Sequence, residues 1–183
     1  MSEKGKHPSN RLVREYMITA LMQLLREKPL SAISVSELAA RAGVSRMTYY
    51  RNYACKEDIF ASYLQDLIDD YRETAQQLAL TGDYYEQERL VHCFSYFKTY
   101  QDFLGSLFQS GLGHIFLKGL SDYMMETWQK PGDSLDRRYT LQAFAGSLYH
   151  LYICWTFQGG RETPEQMAAI LHRIYAPVAD QRA

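Results

Sequence analysis

The apolar positions of this chain recur every three or four residues almost throughout, the period of amphipathic helices and not of strands. Leu12, Val13, Tyr16, Met17, Ala20, Leu21, Leu24 and Leu25 form one stripe, which predicts a helix from Ser9 to Lys28 ended by Pro29. Two short helical patterns then flank Gly43 and Val44. Ser34 followed by Glu37 predicts a capping box, in which hydroxyl and carboxylate satisfy backbone N–H groups left over at a helix start. Leu38, Ala39 and Ala42 share one face, Gly43 supplies the positive φ of a tight helix end, and Ser45 caps a second helix. On that second helix Tyr49 and Tyr53 are spaced to pack inward. Arg46, Met47, Thr48, Tyr50, Arg51 and Asn52 are presented outward.

Beyond Asn52, Lys56-Glu57-Asp58 begins a long helix whose stripe runs from Ile59 and Phe60 through Tyr71 to Leu78, until Thr81-Gly82-Asp83 stops it. Asp83 with Glu86 predicts another capping box, opening a helix to about Tyr100. Asp102 is expected to cap a short helix ending near Gly111, and a further helix runs from about Gly113 to Trp128. Asp136 to Gln158 reads as a long apolar helix closed by Gly159-Gly160. Thr163-Pro164-Glu165-Gln166 opens the last one with a cap, a first-position proline and a completing Gln, and Pro177 ends it. The prediction is an all-α chain of about nine helices. It divides into a three-helix head at 1–55, in which two helices make a helix-turn-helix, and a helical body at 56–183.

Composition changes this picture in one respect. Through Lys56 there are ten basic and four acidic residues, a net +6. The remainder has ten basic and 17 acidic residues, a net −7. A basic head on an acidic body suits a module that binds phosphate attached to one that does not. Met1 to Pro8, with Lys4, Lys6 and His7, reads as a plain tail, the alternative being a basic arm on DNA. The N-terminus has no apolar core of a secretory signal and no run approaches the ~20 apolar residues of a membrane span. Cys55, Cys93 and Cys154 are too scattered for a disulfide framework and fit a reducing cytoplasm. No nucleophile elbow, Walker loop or dinucleotide fingerprint appears, so no enzyme and no cofactor is expected. His150 and Cys154 are spaced i, i+4 and, with His92, Cys93 and His172, are the only candidates for a metal. Packing is the preferred reading of them, and no metal is expected.

The segment AGVS…TYYRNY…KEDIF, inside a pattern running from Ile18 to Phe60, closely resembles the TetR/AcrR family of one-component transcriptional regulators. The aromatic run YFKTYQDFLGSLFQSGL is similar to a subgroup that includes regulators of dihydroxyacetone kinase operons. The resemblance implies a homodimer, most simply a repressor, that sets each recognition helix in a major groove of a palindromic double-stranded DNA operator. It implies DNA contacts from Ser34, Ser36, Arg46, Met47, Thr48, Tyr50, Arg51, Asn52 and Lys56. Arg46 is the candidate for a bidentate guanine contact and Lys56 for a phosphate. Met47 and Asn52 depart from the family's usual residues and bear on base preference. For the body the resemblance implies ligand binding and dimerisation. The effector would be a small hydrophobic or amphipathic molecule in a pocket drawn from Tyr96, Phe97, Tyr100, Phe103, Phe108, His114, Phe116 and Tyr123. Dimer contacts would come from Phe144, Leu148, Leu151, Tyr152, Trp155, Met167, Ile170, Leu171 and Ile174, with Ala143, Gly146 and Ser147 allowing close approach. The alternative is a body that binds a partner protein instead of a small ligand. No membrane partner is implied.

Overall fold

A computed structural model describes residues 8–180. Within them the chain forms nine α-helices, one 3-10 turn and no strand. The expectations for the N-terminal tail and its basic arm fall on residues that lie outside the described ones.

The head is built from α1 (Pro8–Leu25), α2 (Val35–Arg41) and α3 (Arg46–Asn52), with the 3-10 turn Leu30–Ala32 between the first two. Ser34 Oγ accepts the Glu37 N–H at 3.2 Å, and the Glu37 carboxylate turns back toward the Ser34 N–H, as the capping box requires. The same carboxylate pairs with Lys28 Nζ at 2.7 Å, and Lys28 first, with the Ser34 N–H, holds it below the usual carboxylate range. Gly43, at φ +68°, ends α2, and the Val44 N–H returns to the Ala39 carbonyl at 3.0 Å in a Schellman closure. Ser45 caps α3 by accepting the Thr48 N–H at 3.0 Å. Tyr49 and Tyr53 are buried as expected, with ring centroids 5.6 Å apart.

Helix α4 (Glu57–Gln77) joins head to body. Its first turn is tied down by Asp58, whose carboxylate accepts the N–H groups of Cys55 at 3.1 Å and Ala54 at 2.8 Å and is thereby held below its ordinary range. The helix ends four residues before the expected Thr81-Gly82-Asp83 stop. Ala79 takes a left-handed conformation at φ +50°, and the Leu80 N–H returns to the Ala75 carbonyl at 3.3 Å. An alanine occupies the position where a glycine would have announced the end.

The body continues with α5 (Gln87–Lys98), α6 (Gln101–Gln109), α7 (Gly113–Trp128), α8 (Leu135–Phe157) and α9 (Pro164–Asp180). Two expected caps are absent. Asp83 accepts from the Tyr84 N–H at 2.9 Å and from the Arg137 guanidinium at 3.2 Å, so it closes a turn and an ion pair instead of a capping box with Glu86. Asp102 lies inside the first turn of α6 and Tyr100 stands at the cap position without a side-chain bond. The Thr163–Gln166 box does form, with Thr163 N–H to Gln166 Oε1 at 2.8 Å and Gln166 N–H to Thr163 Oγ1 at 3.3 Å. Helix α9 runs past Pro177 to Asp180; near a C-terminus a proline forfeits one backbone bond without ending the helix.

Helix α5 packs along α9 and α7 along α8, while α4 packs on α1 at one end and on α7 further along. One apolar core runs from Met17 in the head to Tyr175 in α9. The body is therefore not a separate globule, and a displacement of α7 is felt by α4.

Candidate functional site

The helix-turn-helix presents one polar face. Helix α3 buries Tyr49 and exposes Arg46, Tyr50, Arg51 and above all Met47, which is 77% exposed. Tyr50 stands edge-on to Tyr49 with centroids 5.2 Å apart, so its outward pose is braced from beneath. Thr48 and Asn52 are half-buried. The Asn52 amide donates to the Thr48 carbonyl at 2.7 Å and the Thr48 hydroxyl lies 2.9 Å from Ser45 Oγ. Ser34 and Ser36, at the start of α2, are exposed beside this face.

Charge on the head sorts into two kinds. Arg14 places its fork on Asp66 of α4 at 2.5 and 2.9 Å, and Arg11 does the same on Asp70. Arg41 pairs with Glu27 at 3.0 Å and Lys28 with Glu37. Arg46 and Arg51 take part in none of the ion pairs found among the described residues. The two cations on the recognition helix keep their charge available, while those behind it hold the head together.

Lys56 departs from expectation. It is half-buried, and its ammonium donates to the carbonyl oxygens of Leu30 and Ile33, the latter at 2.7 Å. The lysine at the start of α4 satisfies carbonyls that close the 3-10 turn. Two of its three protons are engaged, leaving little for a phosphate.

The body holds a small cavity of about 30 Å³, lined by Ile68 and Tyr71 of α4, Arg89, Leu90, Cys93 and Phe97 of α5, Leu120, Tyr123, Met124 and Trp128 of α7, Phe144 and Leu148 of α8, and Tyr84. Of the eight aromatic and histidine positions expected to line a pocket, Phe97 and Tyr123 do. Phe103 and Phe116 are core, the former against Phe60 and Tyr63 where α4 meets α6. Phe108 packs on Phe116, and the Tyr96 hydroxyl donates to the Leu67 carbonyl at 2.9 Å with Tyr100 against its ring. His114 is exposed. Among the lining residues outside the aromatic run are Tyr71 and Tyr84, from other parts of the chain, and Arg89, two turns earlier on α5. Arg89 stacks over Trp128 at 5.0 Å and donates to the Leu80, Thr81 and Gly82 carbonyls. Burial pushes the Cys93 thiol up to about 11 and raises Tyr71 and Tyr123, so every hydroxyl and thiol facing this void is neutral at pH 7.

The expected dimer set also divides. Phe144, Leu148, Tyr152, Trp155, Met167 and Leu171 are buried inside their own chain, because α8 and α9 turn those residues onto α7 and α5. Leu151 and Ile170 are half-buried and Ile174 is 54% exposed. The outward side of α8 carries Tyr139, Ala143, Gly146, Ser147, His150, Cys154 and Phe157, opposite its buried side. A helix apolar on both sides is made to be covered on both. Among the described residues no helix is long and apolar enough to cross a membrane, and no three metal-ligating side chains gather.

Residues 17–63 match the family described as bacterial regulatory proteins, tetR family, and residues 86–176 match a transcriptional regulator C-terminal region. No curated protein matches the chain in sequence. Among solved structures the chain is similar to Lin0861 of Listeria innocua, with a TM-score of 0.80 and 15% identity over 97% of this chain and 96% of that one. It is also similar to a TetR transcriptional regulator from Rhodococcus sp. RHA1, with a TM-score of 0.63 and 18% identity over 90% and 94% of the two chains. For the dihydroxyacetone kinase operon activator DhaS the TM-score is 0.56 and the identity 18%, over 88% and 93%. At these identities the likeness is one of fold.

Proposed function

The chain belongs to the TetR family of transcriptional regulators and carries that family's DNA-binding head; from this premise we propose that it is a repressor acting as a homodimer on a palindromic operator and released by a small apolar or amphipathic effector. The observation that carries the reading is the recognition helix: α3 is rigidly seated by Tyr49 and exposes Met47, Tyr50 and two arginines that have no ion pair among the described residues. We divide the chain at 55/56, where Asp58 staples the end of the head to α4.

Regulators of this family bind DNA as dimers. The outward faces of α8 and α9, with Tyr139, Phe157, Leu151, Ile170 and Ile174, supply the apolar surface a second copy would cover. Two heads then meet half-sites about one helical turn apart, roughly 34 Å. The void in the body is the size of a water molecule or two, far below the ~300 Å³ of a small-ligand site. An effector of that size enters this cavity by moving α7 away from α4 and α5. Because α4 is clamped to α1 through Asp66 and Asp70, that movement turns the head and shifts the population toward dimers with the wrong spacing.

The test is an unbiased operator selection followed by titration of the selected DNA with metabolites and drugs. Recovery of a palindrome bound by two chains, and its release by at least one apolar compound, is the expected result. Selection of a single half-site bound by one chain removes the dimer, and no response to any compound removes the effector.

A further inference from the structure

His150 and Cys154 stand on successive turns of α8, and His150 Nε2 lies 3.6 Å from Cys154 Sγ. In a tetrahedral zinc site with Zn–S of about 2.3 Å and Zn–N of about 2.0–2.1 Å, adjacent sulfur and nitrogen ligands are separated by roughly 3.5 Å. The two atoms are therefore already one edge of such a tetrahedron. Both side chains point away from the protomer's core: His150 is exposed and Cys154 half-exposed. The other histidines and cysteines of the body's interior are engaged elsewhere. His92 meets the Thr74 hydroxyl at 3.1 Å, His172 the Tyr85 carbonyl at 2.9 Å, and Cys93 is buried against Tyr152.

We propose that His150 and Cys154 of two chains together bind one zinc-class divalent cation across the dimer's twofold axis, a Cys2His2 site that neither chain contains alone. Among the described residues no third histidine, cysteine or carboxylate joins the pair, so one chain offers half of what zinc requires. An isologous interface presents every residue near its axis twice, and this doubles the pair without any further residue. The pair also sits in the middle of the outward stripe, between Tyr139 and Ala143 on one side and Phe157 on the other. Burying an imidazole and a thiol in an apolar interface costs free energy unless something satisfies them, and a metal does so. A thiolate–imidazole set selects zinc, cobalt or copper over magnesium and calcium, which take oxygen ligands. On binding, the two Cys154 thiols lose their protons to solvent and the two imidazoles bind neutral. The cation binds the dimer and not the single chain, so it tightens dimerisation by mass action and makes operator occupancy respond to metal supply. This inference rests on the homodimer reading, with α8 at the interface.

Cobalt(II) is the probe, added to the reduced full-length chain. Every protein tested carries Cys55→Ser, because Cys55 is the other exposed thiol. Expected are a thiolate-to-cobalt charge-transfer band with tetrahedral d–d bands, an end point of one cobalt per two chains, and a dimer dissociation constant lowered at least about tenfold relative to EDTA. Cys154→Ser and His150→Ala, both outward-facing changes checked by circular dichroism, should each abolish the band while leaving helix content unchanged. No thiolate band, an end point of one metal per chain, or a band that survives Cys154→Ser overturns the proposal. A dimer in EDTA with no cobalt band sinks the metal site and leaves the dimer standing. A chain that sediments as a monomer in both conditions sinks both.

Discussion

Arg46 and Lys56 carry the same formal charge ten residues apart, and their surroundings give them opposite work. Arg46 takes part in no ion pair among the described residues and opens the recognition helix, which leaves its fork available to a base edge. Arg46→Ala should cost ~1–3 kcal/mol against one operator position and little at the others, measured by competition among single-base operator variants. A uniform loss at all positions would make it a phosphate contact. Lys56 is spent on the Leu30 and Ile33 carbonyls. Lys56→Met should lower the unfolding free energy by about 1.5–3 kcal/mol, the range for a hydrogen bond to a charged group, with the salt dependence of DNA binding unchanged. An unchanged denaturation midpoint with a salt slope reduced by about one would show that the lysine does hold a phosphate.

Helix ends show which parts of the structure could be read in the residues and which could not. Ser45 and the Thr163–Gln166 box act on backbone groups two or three residues away, so their patterns are local and legible, as is the Gly43 turn. Asp83 looked like such a cap, but Arg137, 54 residues on, claims its carboxylate. The Lys56 contacts are hidden from the sequence for the same reason, its carbonyl partners lying 23 and 26 residues away. On α8 apolar residues fill both faces, so periodicity distinguished neither Phe144, which is buried, from Phe157, which is not, nor pocket from core among the aromatics. The termination of α4 at Ala79 had no signature. Gly43 and Ala79 occupy equivalent left-handed positions, and a Cβ on Gly43 would meet no neighbour within 4 Å. Backbone conformation is then the whole difference. Gly43→Ala should destabilise by ~1–2 kcal/mol and Ala79→Gly should stabilise by up to ~1 kcal/mol in urea denaturation. A neutral Gly43→Ala would mean that the turn relaxes to negative φ.

Across the whole molecule, head and body are joined where α1 packs on α4. Asp66 is the one buried charged residue among those described, 6% exposed, and it sits on α4 facing α1, where Arg14 meets it with both fork nitrogens. Arg11 and Asp70 repeat the arrangement one turn along, nearer solvent, and screening leaves that outer pair with little energy. The inner pair fixes the angle between α1 and α4, since a planar guanidinium on a carboxylate tolerates little rotation. Arg14→Ala leaves Asp66 unpaired inside the protein and should cost ~3–5 kcal/mol in denaturation. Replacing the pair by apolar residues, Arg14→Met with Asp66→Leu, removes the stranded charge and should restore most of that stability. It does not restore the fixed angle. The double variant should therefore be as folded as the parent by circular dichroism yet bind operator more weakly, because its heads are held over a wider range of orientations. Parental operator affinity in the double variant would show that the angle is set by packing alone and that the ion pair has no part in coupling the two.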